Sequence, residues 1–174
     1  MTGSIAAYKA ADLASKLVKL KLHVQVIMTK DACKFITPLT LQTMSRNPVT
    51  TCFEDEGDHW HPSHLDIADN ADLIVIAPAT AHVVAELAHG LAGDILTTVC
   101  LATKAPLLIA PAMNGKMWLH PATQANVEIL QARGVEFIGP EKGLLACGYE
   151  GIGRLWQVDG IVDQIQKILK SKKT

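Results

Sequence analysis

The sequence has no CxxC pair, and its four cysteines, Cys33, Cys52, Cys100 and Cys147, stand far apart. That spacing favours neither a disulfide framework nor a thiolate zinc site, so reduced thiols in a cytoplasm are expected. Charge of one sign is lacking too: 16 Lys and Arg face 17 Asp and Glu, for a net charge of −1. Such a balance leaves no electrostatic footprint for nucleic acid or an anionic membrane. No apolar run approaches the roughly 18–20 residues that span a bilayer. Internal repeats, low-complexity tracts and linker-like stretches are absent as well, which leaves 1–174 as a single domain.

What is present describes an ordinary globular chain: 174 residues, 49% hydrophobic and 19% charged, long enough to bury a sizeable core. Ala6, Ala10, Leu13, Leu17 and Leu20 recur at helical spacing over residues 5–20. Leu22, Val24, Val26 and Met28 alternate as a strand. Short helices are expected over 31–36 and 38–45, the second with Thr37 as N-cap and Pro38 at its first position. Val49 to Phe53 reads as a strand, and Glu54 to Ser63 as a polar loop. The uncharged run Leu73–Ala77 suits a parallel strand covered on both faces. Helices follow over 80–89 and 94–102, and a strand over 107–110. A helix over 121–133, a strand over 135–138, a glycine-rich loop over 139–155 and a helix over 159–170 complete the chain. Strands alternating with helices predict a three-layer α/β fold, an open parallel sheet with helices on both faces (Rossmann/flavodoxin-like).

In such sheets ligands sit beyond the carboxyl ends of the strands. Four segments fall there or carry suitable chemistry. Gly3-Ser4-Ile5 opens the first helix, where free N–H groups can meet a phosphate. It is not GxGxxG, and the next strand ends in Thr29-Lys30 without the acid that would hold a dinucleotide ribose, so a mononucleotide fits better. Pro78-Ala79-Thr80-Ala81-His82 offers small residues to a flat ring, although Thr80 suits an N-cap equally well. Lys104–Gln124 passes from a buried strand through Pro111 to a loop carrying Ala112, Met113 and one polar amide, Asn114. Ala146-Cys147-Gly148 lies on the glycine-rich loop, a setting for a flap thiol rather than a core one. The cluster His59, His61 and His64 completes no metal-ligand pattern, so no metal is expected. His64 stands at the approach to the strand that begins near Asp72, placed as a base or carboxylate-binding group.

A glycine turn into a helix normally follows a central strand of about five or six residues. Only Met1-Thr2 precedes Gly3. The expectation is therefore that the first strand is missing from this sequence and that the natural chain begins upstream.

GSIAAYK at 3–9, His64 ahead of ADLIVIAPATA at 71–81, PAMNGKMW at 111–118 and ACG at 146–148 together resemble the flavin-dependent cysteine decarboxylase family. The resemblance spans nearly the whole chain. It implies FMN, a homo-oligomer (trimer or dodecamer) with the flavin at subunit contacts, and a cysteine-derived carboxylate as substrate. Specifically, it implies conversion of 4′-phospho-N-pantothenoylcysteine to 4′-phosphopantetheine in coenzyme A biosynthesis, with a phosphopantothenate–cysteine ligase as a separate pathway neighbour. By resemblance, Gly3, Ser4 and Ile5 meet the FMN phosphate side with Thr29 nearby. Thr80, Ala81, His82, Val83 and Ala112 line the flavin, with His82 where relatives often carry asparagine. His64, Asn114 and Cys147 match the catalytic positions, and Asn114, Met117, Ala146 and Cys147 the substrate contacts.

The implied chemistry accounts for these residue types. A cysteine carboxylate leaves as carbon dioxide only if its electron pair has a sink, which a thioaldehyde at the oxidised side chain supplies. The resulting enethiolate is then reduced and protonated. Asn114 suits the carboxylate because an amide donates hydrogen bonds without adding charge. His64 suits orientation and proton removal, and Cys147 the last protonation. Two rivals are a peptidyl-cysteine decarboxylase and a non-enzymatic flavoprotein that regulates a phosphatase.

Overall fold

The computed structural model describes residues 1–53 and 63–172. After a short 3-10 turn, Ile5–Ala7, the first helix is α1 (Tyr8–Lys19), followed by α2 (Pro38–Ser45), α3 (Ser63–Asn70), α4 (Ala81–His89) and α5 (Ile95–Ala102). A single turn, α6 (Gly115–Trp118), precedes α7 (Pro121–Ala132), and α8 (Val158–Ser171) closes the chain. Parallel strands β1 (Val26–Ile27) and β2 (Val49–Thr50) form one pair; β3 (Ile74–Ala79), β4 (Leu107–Pro111) and β5 (Glu136–Phe137) form a second parallel sheet. An antiparallel hairpin, β6 (Glu141–Leu144) and β7 (Glu150–Arg154), lies beyond.

The central strands are covered on both faces, as their unbroken apolar runs require. Side chains alternate across a strand, so Leu108 and Ala110 join Leu13, Leu17, Ile161 and Ile165 of α1 and α8 on one side. Ile76 and Ile109 point the other way, to Val84, Val99 and Val127 of α4, α5 and α7. Ile76, Leu108 and Ile109 are fully buried, each contributing about 1.5–3 kcal/mol by removal from water.

Helix ends follow local chemistry. Asp94 and Thr97 form a reciprocal capping box at α5, and Gly90 ends α4 at a left-handed φ of 68°. Thr37 and Pro38 open α2 as the sequence predicts, although no side-chain capping bond forms at Thr37.

Three expectations need correction. Residues 139–155 are not simply a loop: they contain the β6–β7 hairpin, hidden because its glycines and charged residues lack apolar alternation. Of the strand expected from Leu22 to Met28, only Val26 and Ile27 form ladder pairs, with Met28 N–H adding a bond to the Thr50 carbonyl. The single turn α6 was not anticipated at all; Asn114 starts it by accepting from the Lys116 N–H. His59 and His61 lie outside the described residues.

Among the described residues β1 and β3 do not pair with each other. A cleft of about 590 Å³ separates them, lined by Val24–Ile27, Leu73–Val75 and helix residues from both faces. Met1 also lines it.

Candidate functional site

The carboxyl ends of β3 and β4 are tied together and to the N-terminal turn. Ala112 N–H donates to the Ala79 carbonyl at 2.9 Å, which joins the loops after the two strands. Thr2, only 2% exposed, donates its hydroxyl to the Pro78 carbonyl at 2.9 Å and accepts from the Thr80 N–H at 3.0 Å. Ser4 donates to the Ala112 carbonyl at 3.3 Å and accepts from Ala6 N–H, capping the 3-10 turn. Gly3 is a close crossing of two segments: a Cβ there would lie 2.6 Å from Cβ of Asp31. Only glycine lets the Thr29–Asp31 loop close against this turn.

The geometry thus gathers Gly3, Ser4, Thr29, Thr80 and Ala112 at one end of the sheet. Ala81 and His82 open α4 behind Thr80, whose hydroxyl accepts from Val83 N–H at 3.4 Å. Val83 itself is 2% exposed and packs into the core, so its side chain does not face this end of the sheet. Ile5 and the His82 ring are open to solvent. Asp31 is held below the usual carboxylate range, mainly by its hydrogen bond to Lys34 and slightly by His82.

Backbone donors at the Ser4 and Thr80 turns and a glycine-only crossing at Gly3 make a berth for one phosphate, with Ala81 and Ala112 the small residues at this end, while Ala77 and Ala79 pack into the core. A flavin mononucleotide fits that donor set.

The second cluster is built by the β6–β7 hairpin folding onto the loop after β4. Met113 N–H donates to the Gly153 carbonyl at 3.0 Å, and a Cβ on Gly115 would meet the Ile152 carbonyl oxygen at 2.6 Å. Gly153 has φ of 142°, and a Cβ there would run into the Met113 carbonyl oxygen. Backbone therefore packs on backbone, and the contact carries Cys147 to Asn114. Asn114 Oδ1 accepts from Lys116 N–H and from the Tyr149 hydroxyl, each at 2.9 Å. With two donors on its oxygen, the amide turns Nδ2 outward, where it donates to Cys147 Sγ at 3.4 Å. Cys147 and Ala146 are exposed, and Met117 on α6 is half exposed.

Asn114 and Cys147, chosen from the sequence as separate motifs, are thus in contact. His64 lies at the start of α3, its ring edge-to-face with Phe53 at 5.7 Å. Two residues escaped the sequence reading. Tyr149, two positions after Cys147, carried a signal as one of only two tyrosines. Thr2 carried none, since its role depends on loops some 76 residues away.

A glycine turn and an amide–thiol pair at the carboxyl ends of a parallel sheet stand where open α/β proteins bind their ligands. The chain belongs to the Flavoprotein family, whose model matches residues 1–170. It is 50% identical over 167 residues to the coenzyme A biosynthesis bifunctional protein CoaBC of Bacillus subtilis, covering 96% of this chain but 41% of that protein. It is 47% identical to a probable phosphopantothenoylcysteine decarboxylase of Streptococcus mutans, covering 97% of this chain and 96% of the relative.

Among solved structures, a cysteine-to-serine mutant of a PPC decarboxylase complexed with pantothenoylaminoethenethiol superposes with a TM-score of 0.87 at 30% identity. That match covers 97% of this chain and 94% of the other. The FMN-dependent cysteine decarboxylase SpaF gives 0.86 at 28% identity, covering 99% and 94%. Among the described residues no helix is long and apolar enough to cross a membrane.

Proposed function

We propose that this protein is an FMN-dependent decarboxylase that converts 4′-phospho-N-pantothenoylcysteine to 4′-phosphopantetheine and carbon dioxide. The observation that carries the reading is the Asn114–Cys147 pair, an uncharged amide and an exposed thiol 3.4 Å apart on a hairpin-clamped loop. Two relatives, one at 47% identity over nearly their full shared length, are named for this pathway or this reaction, which supports the substrate. The flavin of the family and the FMN of a structural neighbour support the cofactor.

Bound FMN would oxidise the substrate's cysteine side chain and later return the electrons. The chain's own residues then divide the remaining work. Gly3, Ser4, Ile5 and Thr29 hold the phosphate end, while Thr80, Ala81, His82, Val83 (through its backbone) and Ala112 hold the ring. Asn114 Nδ2 donates to the substrate carboxylate and adds no charge that would oppose its loss. Met117 and Ala146 border the substrate. Cys147 Sγ delivers a proton to the enethiolate carbon. His64 orients the substrate and takes a proton during oxidation, reaching the site across a subunit contact. Ile5 and Tyr8, 61% and 62% exposed beside Gly3, are apolar surface suited to such a contact in a trimer or dodecamer. The ligase that makes the substrate is a neighbour in the pathway, and the cytoplasm is where both would act.

The test is direct. Purified protein should carry the yellow absorbance of oxidised flavin, release it as FMN on denaturation, and evolve carbon dioxide from phosphopantothenoylcysteine. Protein that stays colourless after reconstitution with FMN overturns the reading. Decarboxylation of a peptide with C-terminal cysteine, and not of this substrate, replaces it with the peptidyl-cysteine alternative.

A further inference from the structure

The β6–β7 hairpin carries a second polar group besides the Cys147 tip. Tyr149 and Gly151 lie two apart and share one face: a Cβ on Gly151 would lie 3.1 Å from the Tyr149 ring, which therefore crosses bare backbone. Gly143 is the cross-strand partner of Gly151 and presents the same face. By simple alternation Arg154 belongs to the opposite face, with Glu150 and Ile152. A bulge changes that. The register passes from Lys142–Ile152 to Glu141–Arg154, so that β7 spends one residue more than β6, and the extra residue is Gly153. Arg154 is thereby re-aimed onto the face of Tyr149, where a Cβ on Gly143 would run into its Nη1 and lie 3.0 Å from its Cδ.

The guanidinium laid over Gly143 has no counter-charge. Glu141 stands directly across the ladder from Arg154, yet its Oε2 accepts from Gln157 Nε2 at 2.8 Å. Among the described residues Arg154 makes no hydrogen bond and no ion pair. Holding a half-buried arginine in a slot that only glycine leaves open costs rotamer freedom, and no contact within the chain offsets that cost. The slot is also tied to the site. The bulge residue Gly153 accepts from Met113 N–H at 3.0 Å, so the irregularity that aims Arg154 is the one that docks the hairpin beside Asn114.

We propose, resting on the reaction proposed above, that Arg154 is a specificity-determining residue that anchors the phosphate at the far end of the substrate. The substrate lies along the glycine-floored face, its carboxylate at Asn114, its phosphate on the guanidinium, and the Tyr149 ring beneath the chain between them. The lengths agree. The path from Asn114 Oδ1 through the Tyr149 hydroxyl and ring, then across the Gly151–Gly143 pair with Cβ positions about 5 Å apart, reaches the guanidinium in about 16 Å at most. About twelve bonds separate the phosphorus of the substrate from its carboxylate carbon, the length of about four extended residues, or about 14 Å. A planar guanidinium gives two parallel N–H donors to phosphate oxygens. A peptide ending in cysteine brings no phosphate, so the same residue separates two substrates that share the reacting carboxylate.

The experiment compares the FMN-loaded full chain with Arg154→Gln and Arg154→Lys, each on phosphopantothenoylcysteine and on its dephosphorylated form, pantothenoylcysteine. Wild-type protein should prefer the phosphorylated substrate in kcat/KM. Arg154→Gln should cut that preference about 10- to 100-fold, as loss of a charge-assisted bond does, and mainly through KM. Arg154→Lys keeps the charge and should cut it less; it carries the comparison alone if the glutamine variant does not fold. Binding of phosphopantothenate, which lacks the cysteine and cannot react, should weaken by a similar factor in calorimetry. Equal losses on both substrates would assign Arg154 to hairpin packing, and loss of FMN with the preference intact would assign it to the cofactor. Either result, or an unchanged preference in both variants, overturns this inference and leaves the proposed activity standing. Wild-type protein indifferent to the phosphate overturns both.

Discussion

The Tyr149 hydroxyl donates to Asn114 Oδ1 at 2.9 Å, and that bond sets the direction of the amide. With its oxygen occupied by Tyr149 and Lys116 N–H, Asn114 presents only donors to the open side. Tyr149→Phe removes one neutral hydrogen bond, worth about 0.5–1.5 kcal/mol. The expected result is a roughly three- to tenfold fall in kcat for decarboxylation with flavin content unchanged. Wild-type kcat in the variant would remove Tyr149 from the site.

Asn114→Asp keeps the shape and the two bonds to the side-chain oxygen but sets a second carboxylate against that of the substrate. Two charges about 4 Å apart at an effective dielectric near 20 repel by about 4 kcal/mol, roughly a thousandfold in rate. Carbon dioxide release should fall accordingly, with the protein still yellow. Near-normal release would show that the amide does not hold the carboxylate.

Cys147→Ser separates the two halves of the reaction. A serine hydroxyl is a far weaker acid than a thiol, so protonation of the enethiolate should fail while decarboxylation proceeds. Mass spectrometry should find a product two hydrogens lighter than phosphopantetheine. Full conversion to phosphopantetheine by the variant would move the last proton donor to another residue.

Thr2→Val probes the link between the N-terminal turn and the flavin end. The hydroxyl is the acceptor for Thr80 N–H, and valine leaves that donor buried without it. The cost is about 1–3 kcal/mol, or several degrees in Tm, with weaker flavin retention because the Thr80 loop loses its anchor. A scan matching wild type in both respects would contradict this role.

Local sequence carried much of this architecture. The apolar runs at 73–77 and 107–110 specified buried parallel strands, and the helices expected over 80–89, 94–102 and 121–133 occur with ends within one residue of those bounds. Motif spacing also chose Asn114 and Cys147. Their contact was not legible, because it depends on Gly115 and Gly153 letting two backbones touch, and a glycine in sequence does not name what it approaches. The β6–β7 hairpin was missed for a related reason: with residues such as Glu141, Lys142 and Glu150 it buries little, and strand periodicity is a signal of burial.

The buried amine of Met1 gives the last prediction. Burial lowers its pKa from 8.0 to about 6, and the nearby Cys100 thiol, pushed up to about 12 by burial, stays neutral and offers no counter-charge at these pH values. In the unfolded chain the amine keeps its ordinary value, so between about pH 6 and 8 the unfolded state binds more protons than the folded one. Stability therefore rises with pH across that window. The penalty is complete below the folded value, gone above the unfolded one, and about 3 kcal/mol at most. Urea unfolding at pH 5.5, 7 and 8.5 should show this rise in unmodified protein. N-terminally acetylated protein, in which no charge forms while the N–H to Ile27 is kept, should lose that component and be the more stable form at the acid end. Parallel pH profiles for the two forms would mean that the amine is hydrated in the folded state and the cleft behind it is open to water.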